Sequence, residues 1–574
     1  MSSERRVTAK SGPVPDRSAA RVAGIAVLVS LFSFLYYLQR SDLLLYGDAV
    51  AHINIARRVF DSQTPGLLQL GTVWLPLPHL LMIPFIFSNA MWRNGSGGSI
   101  PSMIAYVFGV VGIFRLVRGV LDADLRTKPV AGFSALAAAI AYGANPNLIY
   151  MQSTAMTESI YLALFIWAVV YFAEFIRSRR KVVLEKSEDV DRRPAKAARN
   201  PLIGCAVCLA CAELTRYDGW FLAGVMGAAV VIISLRRWRN RTRDLDDSDD
   251  RASRRIALKF LLGISAVPVL WLAYNAAVYG NALEFANGPY SAKAIEQRVG
   301  APNPALHNIG VAAVYFLKSA QLNMADGNWG RFWLAAALVA LAIGAWKLRT
   351  QSAPMLLLWV PLPFYAFSIA YGSVPLHVHT WWPFATFNQR YGLQLLPMFA
   401  VSTGVLTASV PLFGASARHV WKLALAILAL MVVSYGSVWK AEPQCLREAR
   451  RNWDIRHTLN SAVQRVVERL PRNSRFLMDL GEHVGVMEQA GIPLRQVVNN
   501  ENHRPWKRPT DPEGLWERAL ADPPRYVDFV IAFDGDPVDL GANRTNLTVL
   551  AEIHATGQPH ARIYATRSVP NQSR

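Results

Sequence analysis

Residues 46–79 read YGDAVAHINIARRVFDSQTPGLLQLGTVWLPLPH, and they lead into an apolar stretch, 73–92, whose reading decides the fold. This stretch is apolar enough to enter a membrane, but Pro76, Pro78 and Pro84 interrupt it. Proline removes a backbone donor and clashes with the preceding turn, so a regular spanning helix is disfavoured here. If 73–92 crosses, every later loop changes sides.

Working outward, apolar runs occur at about 22–39, 101–118, 129–147, 156–176, 201–214, 219–235, 258–278, 329–346, 354–371, 391–413 and 420–439. About 20 residues cross a bilayer upright, so the run at 201–214 is short. Strongly basic connections are 1–21, 115–128 (Arg115, Arg118, Arg126, Lys128), 177–199 and 236–259, and Lys347, Arg349, Arg418 and Lys422 mark two more. Basic loops stay in the cytoplasm. All six fall on one side only if 73–92 enters and leaves on the outer face. Irregular backbone at that depth needs protein or a water-filled cavity around it.

The fold expected is an α-helical polytopic membrane protein of 11 spans with a long first external loop. Residues 1–21 form a cytoplasmic tail, 22–440 the transmembrane unit and 441–574 an extracytoplasmic α/β domain. That last part has strand-like runs at 475–479, 495–498, 526–532 and 547–552, and helical patterns near 453–470 and 513–521. The first run ends in Tyr36, Tyr37, Gln39 and Arg40 without a small-residue cleavage site, so it reads as a retained span. No internal repeat is visible, which weighs against a transporter built from inverted repeats.

Composition agrees. The 574 residues are 52% hydrophobic and 17% charged, against about 25% charged in soluble domains. The net charge of +20 lies largely in short loops between apolar runs, so it needs no nucleic-acid partner. Cys205, Cys208 and Cys211 are spaced i, i+3, i+6 within one apolar run with no histidine nearby, and read as packing residues rather than metal ligands. Cys445 has no evident partner, so no disulfide framework is implied.

The chemistry should lie on the outer face. Asp48 and His52 are four residues apart and share a helix face. Asp48 could deprotonate an acceptor hydroxyl or hold a cation; its plainer role is to cap a helix. Glu158 begins an otherwise apolar span, where an ionisable group is costly and tends to be functional; the alternative is charge complementarity with the helix N-terminus. Arg216 and Arg390 sit at external ends of spans, where a lipid phosphate would lie, and the planar guanidinium suits phosphate. Their alternative is interfacial anchoring, and for Arg216 pairing with Asp218 or Glu213. His377 and His379 form a His-x-His that reads as part of an aromatic interfacial loop in preference to a zinc site. The loop 284–298 has the look of a substrate cover, with Tyr290 and Lys293 as candidates.

In order and topology, residues 20–440 resemble the GT-C type membrane glycosyltransferases, including protein O-mannosyltransferases and aminoarabinose transferases. The likeness rests on five features in sequence. They are Asp48 in a long first external loop, the Pro-rich WLPLPHLLMIPF, Glu158 in QSTAMTESIYLAL, LTRYDGWFL (214–222) and NQRYGLQLLP (388–397). The resemblance implies inverting transfer of a sugar from a polyprenyl-phosphate donor to an extracytoplasmic acceptor. Asp48 and Glu158 would be catalytic, Arg390 and Arg216 would bind the donor phosphate, and His52, Asp218, Tyr290, Lys293 and Tyr391 would contact substrate. Many relatives carry paired acids where this chain has Gly47–Asp48, so a divalent metal is not favoured and no other cofactor is called for. Competing readings are a transporter or flippase of a lipid-linked solute, and a non-catalytic membrane scaffold.

Overall fold

The computed structural model describes residues 17–185, 194–239, 247–288, 291–299, 302–481, 483, 485–500, 514–545 and 547–566. Tyr290, most of the 1–21 tail and parts of the basic connections 177–199 and 236–259 lie outside the described residues.

Each expected span is helical. The helices are Arg17–Gln39, Ser96–Leu121, Ala131–Gly143, Glu158–Glu185, Pro194–Glu213, Asp218–Arg239, Asp247–Tyr279, Gly330–Ile343, Pro361–Tyr371, Leu396–Thr407 and Val420–Lys440. Among the described residues, eight segments are long and apolar enough to cross a membrane by length and composition. The runs at 129–147, 201–214 and 391–413 form helices outside that set. The chain is thus a multi-pass helical membrane protein, with eight spans supported on this measure where the sequence suggested 11.

Small residues let these helices approach, as expected where lipid supplies no hydrophobic drive between helices. A Cβ on Gly404 would lie 2.7 Å from Val117 Cγ1, and one on Gly112 would lie 2.7 Å from Ile166 Cγ2. Large apolar side chains such as Phe32, Leu270 and Val432 point outward and stay exposed.

The loops sort to two ends. Arg126 Nη2 donates to Lys347 O, Gln351 Nε2 donates to Ala123 O, and Arg179 meets Ser253, so basic connections gather at one end. At the other end Ser99 Oγ donates to Ser153 O, Tyr150 to Asp42 O, Leu77 N to Leu214 O and His307 N to Ala370 O. The segment 73–92 lies at this second end, broken into Leu77–Met82, Ile83–Phe85 and Asn89–Arg93. None of these pieces approaches the length of a span. One element was not expected: the supposed loop 279–328 contains an apolar helix, Ile309–Leu322. It is shorter than a span, and its flanking residues His307 and Asn323 bond to Ala370 O and Asn145 Nδ2 at that same end.

The chain continues through a polar helix, Gln444–Val467, into a five-stranded sheet of order β2-β1-β3-β5-β4. Its strands are β1 (Phe476–Met478), β2 (Val497–Val498), β3 (Phe529–Phe533), β4 (Thr548–Ile553) and β5 (Ala561–Ala565). β1 is parallel to β2 and β3, while β5 is antiparallel to β3 and β4. Four strands match the apolar runs of the sequence. β5 does not, because Arg562 breaks its pattern while pairing with the exposed Asp534. This C-terminal part packs onto the first loop. Tyr46 Oη donates to Cys445 O, Arg456 Nη2 to Leu45 O, and Asn54 Nδ2 to Glu488.

Candidate active site

The helix Gly47–Arg58 starts in the first loop, with Tyr46 at its N-cap and no side-chain cap. Asn452 Oδ1 accepts from Gly47 N at 2.7 Å, so a residue far along the chain tethers the helix start. Asp48 therefore does not serve as a cap. Its Oδ2 instead takes a hydrogen bond from Arg390 Nη2, and its side chain keeps 38% exposure.

Arg390 comes from the short turn Gln389–Leu395, entered through Asn388 in a left-handed conformation (φ 56°). Asparagine tolerates that conformation better than most residues. The Asn388 and Arg390 amides both donate to the Glu448 carboxylate, at 2.8 and 3.3 Å. Arg390 Nη1 also lies 3.2 Å from Glu448 Oε1, and its Nε lies 3.2 Å from Glu158 Oε1. Glu448 belongs to the Gln444–Val467 helix, so the C-terminal part of the chain supplies a group that seats Arg390.

Arg216 lies between the helices Pro194–Glu213 and Asp218–Arg239. Its Nε approaches Asp218 Oδ1 at 3.2 Å and its Nη1 approaches Glu158 Oε1 at 3.2 Å. Its Nη1 also donates to Thr157 Oγ1 and its Nη2 to Tyr365 Oη, each at 3.1 Å. Tyr365 in turn donates to Asp218 Oδ2 at 2.9 Å. Both guanidinia lie over the Tyr391 ring, each 5.3 Å from its centroid. Glu158 thus bridges both arginines, and its second oxygen is buried with no hydrogen-bond partner.

Six of the residues singled out from the sequence thus meet in one place: Asp48, Glu158, Arg216, Asp218, Arg390 and Tyr391. Of the four carboxylates around the two arginines, only Asp48 reaches solvent appreciably; Glu158, Asp218 and Glu448 are 1–5% exposed. Four acids against two cations would be repulsive without these charge-assisted bonds. The same bonds occupy the arginines, so a phosphate would have to exchange with a carboxylate to reach them.

His52 lies one turn from Asp48. Its Nδ1 is 2.9 Å from Nε2 of His79, and its ring centroid is 4.7 Å from that of Trp74. Burial, reinforced by Arg390 and Arg216, pushes His52 down to about 3. Burial also lowers His79 well below the ordinary imidazole range, with His52 and Arg58 adding to it. Both rings are therefore neutral at ordinary pH.

Lys293 is exposed on the short helix Ala292–Val299, and among the described residues no hydrogen bond or ion pair ties it to the charge cluster. In the 284–298 loop Phe285 stacks on Tyr217, beside Arg216, at 4.8 Å. His379 Nε2 meets Arg447 at 2.8 Å and His377 pairs through its backbone with Phe387. Among the described residues no three His, Cys, Asp or Glu side chains form a metal-binding group. Sequence reading missed Glu448, Tyr365 and His79. Glu448 carried one usable signal, a lone acid early in the basic helical stretch QCLREARRNW.

No protein-family model and no curated protein sequence matches the chain. Solved structures do, and two of them are of ArnT. One is ArnT from Cupriavidus metallidurans bound to undecaprenyl phosphate, with TM-score 0.53 and 12% identity over 97% of this chain and 99% of that one. The other is the apo state of that ArnT, with TM-score 0.51 and 12% identity over 96% and 98% of the two chains. The likeness runs essentially end to end, C-terminal sheet included, and this chain has the GT-C fold that its sequence resemblance implied.

Proposed function

We propose that the protein is an inverting membrane glycosyltransferase that moves a sugar from a polyprenyl-phosphate donor to a hydroxyl acceptor on the outer face. The observation that carries this reading is the charge cluster. Asp48 is the exposed carboxylate of a buried six-group network at one end of a helix bundle, opposite the basic loops. Buried charge at a membrane boundary is costly and is retained where it does chemistry. The ArnT likeness supplies the matching fold, and undecaprenyl phosphate, the lipid bound to that protein, is of the class that leaves the donor proposed here.

In this reading Asp48 takes the proton from the acceptor hydroxyl as its oxygen attacks the anomeric carbon. The carbon–oxygen bond to phosphate breaks on the opposite side, and polyprenyl phosphate leaves. Arg390 and Arg216 meet the developing phosphate charge. Arg390 exchanges Asp48 for phosphate when the donor arrives, which frees a carboxylate oxygen for the acceptor. Glu158 holds both arginines, and the Tyr391 ring packs against both. Residues 22–440 and the Gln444–Val467 helix build the site, with the remaining tail as an outer cover and residues 1–21 in the cytoplasm of a cell with an inner membrane.

The deciding experiment is reconstitution in vesicles with a labelled polyprenyl-phosphate sugar. Release of free polyprenyl phosphate supports transfer. A donor that changes leaflet with its glycosidic linkage intact points to a flippase instead.

A further inference from the structure

The two buried histidines form an arrangement to which the reaction above assigns no role. Two neutral imidazoles sharing one hydrogen bond have only two proton arrangements. In one, His79 Nε2–H donates to His52 Nδ1, which leaves His79 Nδ1 bare and His52 Nε2 protonated. In the other, His52 Nδ1–H donates, and the proton of His79 sits on its Nδ1. That Nδ1 is buried without any hydrogen-bond partner. A buried N–H with no acceptor loses its hydration for nothing. The first arrangement is therefore favoured.

The consequence falls on His52. Its Nδ1 is occupied by His79, its ring is held by Trp74, and its Nε2 has no partner among the described residues. It shares a helix face with Asp48 one turn away. We propose that His79 is a positioning residue that locks His52 in its Nε2–H form, so that His52 presents a neutral hydrogen-bond donor to an oxygen of the donor's sugar-phosphate. A neutral donor suits this place. The two arginines already supply the cations, and an imidazolium beside Asp48 would compete with Arg390 for it. This inference rests on the glycosyltransferase reading for its ligand, but the tautomer itself does not.

The test uses the full-length protein in lipid nanodiscs. With imidazole 15N-labelling, the His52 signals, assigned by their loss in His52→Gln, are expected at Nε2–H positions. An Nδ1–H form or an imidazolium at neutral pH overturns the proposal whatever the protein does. Binding of undecaprenyl phosphate and of an undecaprenyl-phosphate sugar is then measured. His79→Met, which removes the donor, should weaken binding about tenfold, the scale of one hydrogen bond. His79→Gln, whose amide N–H can stand where Nε2 stood, should retain most of it. Loss confined to the sugar-bearing lipid assigns the contact to a sugar oxygen, and equal loss for both lipids assigns it to phosphate. Equal effects of Met and Gln overturn the positioning role. If the wild type binds neither lipid, the substrate assignment and the glycosyltransferase reading fall together, while the tautomer is still decided by the spectrum.

Discussion

At the scale of single residues, the cluster around Arg390 makes separable demands. Asp48→Asn keeps the shape and an acceptor oxygen for Arg390 but cannot take a proton. Turnover should drop by about 10²–10⁴-fold, the usual contribution of a general base, with donor binding largely kept. Full activity of that variant, measured with donor and acceptor supplied, would remove Asp48 from the chemistry. A second residue makes a pH prediction. Glu488 is buried, accepts from Asn54 Nδ2 at 2.7 Å, and has its other oxygen unpartnered. Burial is the chief cause that pushes it up from 4.5 to about 8. The folded state therefore holds a proton that the unfolded chain releases near 4.5. Stability from this group is complete below that pH and declines as pH rises toward about 8. Thermal unfolding of Glu488→Gln should lose this part of the pH dependence; an unchanged profile would show that Glu488 is ionised in the fold. The roles assigned to Asp48, Glu158 and Arg390 could be suggested from sequence because each sits at a span boundary. Glu448 was missed despite its signal as a lone acid in a basic stretch, because its pairing with Arg390 is made in space.

At the scale of elements, the unexpected helix Ile309–Leu322 gives the site its backing. Phe316 stacks on Tyr365 at 4.7 Å, and Tyr365 lies 5.2 Å from Tyr391. Ser319 Oγ donates to Gln389 O at 2.6 Å, which fixes the turn that carries Arg390. The two backbones approach so closely that a Cβ on Gly392 would lie 2.5 Å from Ser319 C. Gly392→Ala should therefore push the turn off the helix. A cost of about 1–3 kcal/mol in stability is expected from such overpacking, with loss of activity greater than the stability change explains. Normal activity and unchanged thermal unfolding would show that the crossing can relax. The sequence hid this helix because its apolar run is too short to be counted as a span.

At the scale of the whole molecule, sidedness is the open quantity that a direct measurement can fix. A cysteine placed at Thr64, in the first loop, should react with an impermeant maleimide added outside intact cells. One at Leu125, which is 86% exposed in the basic end, should react only after permeabilisation. Labelling of both from the same side would break the orientation argument and the charge count behind it.

What the sequence determined by itself was the architecture: helical runs, the broken 73–92 segment, the basic loops and most of the C-terminal strands. These follow from hydropathy, proline and charge, which act locally or through the bilayer, and so can be read along the chain. The tertiary structure alone decided which side chains share a site. Glu448 joins Asp48 across 400 positions, His79 meets His52, and Glu158 bridges two arginines from separate loops. Such pairings are set by how helices pack and where their ends converge. A buried charge finds its partner in space, and linear order does not encode that distance.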